Sequence, residues 1–149
     1  MPQHYAFLMN RMSRLAPALV AVALLAACTG PQSIPVERGV DVPAELQPDG
    51  FLGDSGPRSA WDGGRDAFVV VVYGSSSCAP IPTELTLDDE RTLALRFAEN
   101  PGEVCTADMA ANTYRFDTPE GVAPDGEVEL AMTFEDDGDQ SVETVPIVG

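Results

Sequence analysis

The chain has 149 residues, with 24 acidic against 8 basic side chains and a formal net charge of −16. A surface this negative repels phosphate backbones, which excludes nucleic-acid binding. There is no lysine, and the single histidine, His4, lies in the N-terminal segment; a chain that sheds that segment has no Ser-His-Asp, Cys-His, Ser-Lys or Schiff-base chemistry and lacks the commonest zinc and copper ligand.

Arg11 and Arg14 precede an uncharged run, Leu15 to Ala27, which closes on Leu25-Ala26-Ala27-Cys28. A helix that stays in a bilayer needs roughly 20 apolar residues. This run is shorter and fits the apolar core of an export signal, usually about 7–15 residues. Small residues directly before a cysteine resemble the lipobox of lipoprotein signal peptides, over residues 11–28. The resemblance implies that the Cys28 thiol is alkylated by diacylglycerol and becomes the mature N-terminus. Residues 1–27 are therefore expected to be a lipoprotein signal peptide, with Cys28 the lipidation site. The protein is expected on the extracytoplasmic face of the cell membrane, since two acyl chains suffice for stable anchoring. The stretch holding Tyr5, Phe7 and Leu8 is apolar for a basic leader, which makes Met9 or Met12 the alternative start.

Residues 28–59 are rich in Gly and Pro and carry no sustained apolar period. They are expected to form a flexible tether, with Phe51 and Leu52 able to dock on the domain. From 60 to 149 the pattern is that of one small domain. Trp61 is expected in its core. Phe68 to Tyr73 reads FVVVVY, a β-branched run suited to a central strand buried on both faces. Leu85 and Leu87, then Leu93, Leu95 and Phe97, alternate with polar neighbours around Asp88-Asp89-Glu90-Arg91. This predicts a hairpin of 83–88 with 92–98. One helical turn is expected at Ala107 to Ala111 and a short strand at Thr113 to Asp117. Val128, Leu130, Met132 and Phe134 alternate with polar or small residues, which predicts a half-buried strand. Asp136-Asp137-Gly138-Asp139 turns the chain, and Ser141 to Val148 returns as a strand that Pro146 marks as an edge. Six or seven short strands without a helix predict an all-β fold, a small antiparallel β-sandwich of immunoglobulin-like type, with a small β-barrel as the alternative.

Cys78 and Cys105 are an even pair once Cys28 is acylated, and in an exported chain they are expected to form a disulfide. Their spacing is not C-x-x-C, so a redox-active pair is disfavoured. Gly74-Ser75-Ser76-Ser77-Cys78 matches only the first part of a nucleophile elbow and has no base beside it, so it reads as a turn. Asp108 reads as a turn or helix cap. Asp136, Asp137 and Asp139 are candidate calcium ligands, but the spacing around Gly138 departs from an EF-hand loop.

Trp61, the string VVVVYGSSSCAPIPT (Val69 to Thr83) and the string CTADMAANTY (Cys105 to Tyr114) together resemble a family of uncharacterised actinobacterial surface lipoproteins. Ala79 stands where that pattern has proline. The resemblance covers residues 61–120 and implies an extracytoplasmic lipoprotein with Cys78 and Cys105 paired; it brings no activity. The expectation for function is a non-enzymatic binding or structural module of the cell envelope, with no cofactor, held to the membrane through Cys28 and touching an envelope polymer or protein. The alternatives are a calcium-binding accessory protein and a small glycan hydrolase built on two of Asp108, Asp117, Glu120 and Asp125.

Overall fold

The computed structural model describes residues 34, 36–47, 55–102, 104–136 and 138–149. They form an all-β fold of eight strands: β1 (Glu37–Arg38), β2 (Arg58–Trp61), β3 (Ala67–Gly74), β4 (Ile81–Asp89), β5 (Thr92–Ala98), β6 (Ala110–Asp117), β7 (Glu129–Asp136) and β8 (Asp139–Val148). The strands make one sheet in the order β1-β6-β3-β2-β8-β7-β5-β4, which curls into a half-barrel.

β3 is central, between β6 and β2, and buried on both faces, as its unbroken β-branched run requires. Phe68, Val70 and Val72 point into the main core. There they meet Leu93, Leu95 and Phe97 of β5, Tyr114 and Phe116 of β6, and Leu130 and Met132 of β7. Trp61 belongs to this core, 7% exposed, with its ring edge-on to Phe68 at 6.2 Å. The β4–β5 hairpin pairs Leu85 with Leu95 and Leu87 with Leu93. Asp89 accepts the Arg91 N–H at 2.8 Å and caps the turn between them.

Several expectations are corrected. The sheet is mixed, because β5 runs parallel to β7 and β2 parallel to β8. β6 crosses to the other half of the sheet between β5 and β7, so the two start from the same end. β8 is not a simple edge: it lies against β7 along its length and meets β2 at Ile147 and Val148. Ala107 to Ala111 forms no helical turn; the chain is extended and enters β6 at Ala110.

The largest correction concerns residues 28–59. Within that stretch the described residues are docked on the domain. The Ile34 N–H bonds to the Pro82 carbonyl at 3.0 Å, β1 pairs with β6, and the Gly39 N–H bonds to the Thr113 carbonyl at 3.0 Å. The Thr113 hydroxyl returns a bond to the Val40 carbonyl at 2.7 Å. A 3-10 turn at Ala44–Leu46 then sets Leu46, 2% exposed, against Ala60, Val69 and Val71. Residues 36–47 thus cover the outer face of β3, and Ile34 touches β4, at the opposite margin of the sheet from β1. The strap closes the seam that the curl leaves open. Phe51 and Leu52 lie outside the described residues.

Candidate functional site

The chemistry-bearing residues gather at the end of the half-barrel where β3 stops. Gly74 ends that strand, and Cys78 is bridged to Cys105 with Cα atoms 5.3 Å apart. The bridge ties the loop after β3 to the loop before β6. Gly102 packs so closely that a Cβ on it would lie 2.7 Å from the Cys78 sulfur, so no other residue fits there unchanged.

The three serines are consumed in holding the two loops together. The Ser75 hydroxyl accepts the Cys78 N–H at 3.1 Å, and the Ser77 hydroxyl accepts the Thr106 N–H at 3.0 Å. Asp108 accepts the Ser76 N–H at 3.0 Å and a bond from the Thr106 hydroxyl. The Thr106 bond, followed by that of Ser76, draws the Asp108 carboxyl down to about 2. A carboxylate with so little proton affinity is a poor general base for a serine. The string is a turn and an anchor, and Asp108 caps it across the loop rather than at a helix.

Beside the disulfide runs a trough in two connected parts of about 270 and 340 Å³. Its floor is apolar: Pro80, the bridge itself, and Phe97 stacked on Phe134 with ring centroids 5.1 Å apart and planes 4° from parallel. Parallel pairing of β5 with β7 sets these two rings side by side. Its walls carry Glu99, Glu135, Asp136 and Asp139. Glu135 is bonded to Arg96 at 3.0 Å. Glu99, Asp136 and Asp139 enter no ion pair among the described residues.

Asp136 and Asp139 face each other across the β7–β8 turn; Asp137 and Cys28 lie outside the described residues. Among the described residues no three His, Cys, Asp or Glu side chains converge as a metal site. Of the hydrolase candidates, Asp117 sits at the end of β6, 3.7 Å from Arg115. Asp108, Asp117, Glu120 and Asp125 line neither part of the trough nor the three smaller concavities around Arg58, Arg96 and Arg65. Glu99 and the Phe97–Phe134 floor were missed by the sequence reading. Both rings were legible as strand residues, but the parallel pairing that joins them was not.

Comparison with protein-family models, with curated proteins and with solved structures found no match.

Proposed function

We propose that the chain is a membrane-anchored extracytoplasmic lipoprotein that works as a non-enzymatic binding module of the cell envelope and takes its partner in the trough beside the disulfide. The observation that carries this reading is the trough's build: a stacked aromatic floor, two walls of carboxylates, and loops locked by a covalent bridge. A concave apolar surface with a few polar groups at its rim is the usual form of a binding site. Loops that are already rigid lose little entropy when a partner arrives. The partner that complements the trough is a protein segment placing Lys or Arg beside an apolar side chain. Support for the anchor is the lipobox before Cys28, and support for a non-catalytic role is the pinned, weakly basic Asp108 among bonded hydroxyls.

The test is crosslinking on intact cells followed by mass spectrometry, run on the parent chain and on a chain carrying Glu99→Gln, Asp136→Asn and Asp139→Asn. These three side chains are outside the core, so the fold is retained. A partner captured by the parent and lost in the variant supports the reading. Identical partners for both remove the trough from it. Release of the parent chain from membranes by salt wash removes the anchor.

A further inference from the structure

The docked strap changes how far the domain stands from its anchor. A tether reaching from Cys28 to β2 would be roughly 30 residues long and would span up to about 100 Å when extended. The strap removes most of that length, because the fold already holds the chain at Ile34. Ile34 and Val36 pack on the main core, Ile34 is bonded to Pro82, and β1 is paired with β6. Only Thr29 to Ser33 separate Cys28 from that point. At about 3.3–3.6 Å per residue the remaining stalk reaches roughly 20 Å at most, whatever its conformation.

We infer that the domain is held close to the bilayer, with the seam where Ile34 meets Pro82 within about 20 Å of the outer leaflet, so that the trough meets its partner at the membrane surface. This rests on the lipoprotein reading above. The trough is brought along because Pro82 is paired with Phe97, a floor residue, and Pro80 lines the trough two residues earlier. Charge sets the lower limit of the gap. A strongly acidic domain is repelled by anionic headgroups, and at physiological salt that repulsion fades over about 8–10 Å. The domain therefore rides in a narrow band, too acidic to lie flat on the lipid and too short-stalked to leave it. A partner far from the membrane is out of reach; one lying at the headgroup surface is within it.

Neutron reflectometry of the protein purified from the cells that process it, applied to a supported phosphatidylcholine–phosphatidylglycerol bilayer, tests this. The native chain should give a protein layer whose inner edge lies within about 20 Å of the headgroups. Inserting twenty Gly/Ser residues after Ser33 should move that layer outward by about 10 Å or more, since a coil of that length has an end-to-end distance of roughly 22–27 Å. A chain carrying Ile34→Asp, Val36→Asp and Leu46→Asp, whose strap is released at both of the clusters that hold it, should move outward as well while Trp61 emission still reports a folded domain. A native layer as distant as that of the insertion variant would overturn the short stalk and leave the anchor intact. No layer at all from the native chain would overturn the anchor reading, and this inference with it.

Discussion

Replacing Leu46 by alanine separates a strap that is part of the fold from a tether that merely precedes it. Leu46 is 2% exposed and sits on Ala60, Val69 and Val71, with Val40, Val42 and Tyr73 packed around the same cluster. The change removes three buried carbons, worth about 0.8 kcal/mol each, or roughly 2.4 kcal/mol in lost burial. A cavity term adds to this where neighbours cannot close in. Here the cover is a single 3-10 turn that can settle inward, so the total should stay near the low end, about 2–3 kcal/mol. The assay is urea unfolding followed by the emission of Trp61, the only tryptophan. The neighbouring Glu45→Ala, at an exposed position of the same turn, serves as control and should lie within about 0.5 kcal/mol of the parent. If Leu46→Ala is equally silent, the 3-10 turn contributes nothing and the reasoning that the second half of the strap is part of the fold fails.

Removing the bridge through Cys78→Ala with Cys105→Ala should lower stability by about 3–4 kcal/mol, the loop-closure entropy expected for a link across some 28 residues, read from the same urea midpoints under oxidising conditions. The bonds from Thr106 and then Ser76 hold the Asp108 carboxyl at about 2, below the ordinary 3.8 of an aspartate. Its depressed value means that its contribution is fully present above pH 3.8 and is lost as pH falls through about 2; the Ser76 amide resonance should follow that midpoint, and Asp108→Asn should abolish the titration. Tyr114 is pushed up to about 12, chiefly by burial, while its hydroxyl donates to the Pro80 carbonyl at 2.6 Å. A raised value means stability that is complete below about pH 10 and lost as pH climbs toward 12. Tyr114→Phe should remove that alkaline sensitivity and cost about 1 kcal/mol at neutral pH, measured by thermal melts across pH.

The elements legible from sequence are those whose pattern is local. β3 announces itself through an unbroken apolar run, the β4–β5 hairpin through two alternations around a charged turn, and β7 through strict alternation from Val128 to Phe134. Cys78 and Cys105 were legible as the even pair left when Cys28 is set aside as the expected lipidation site. The strap was not legible, because Val40, Val42 and Leu46 are spread among Pro and Gly without a period; their partners, Val69 and Val71, are supplied by a strand that the sequence places later. Parallel pairing of β5 with β7 was equally hidden. Nothing local distinguishes a strand that will run beside one neighbour from a strand that will run against another. The trough depends on that pairing, so the sequence displayed its rings and acids without displaying the site.

The junction of β2 with β8 has a consequence for when this protein can fold. The Ser59 hydroxyl bonds to the Pro146 carbonyl, 87 positions away, and Ser59 pairs with Ile147. Synthesis runs from the amino end, so the last ten residues must emerge before the half-barrel can close its middle. Contacts between such remote positions slow folding. A chain of this kind keeps the middle of its sheet open until its final strand is released, so the Ser59–Pro146 bond is among the last to form.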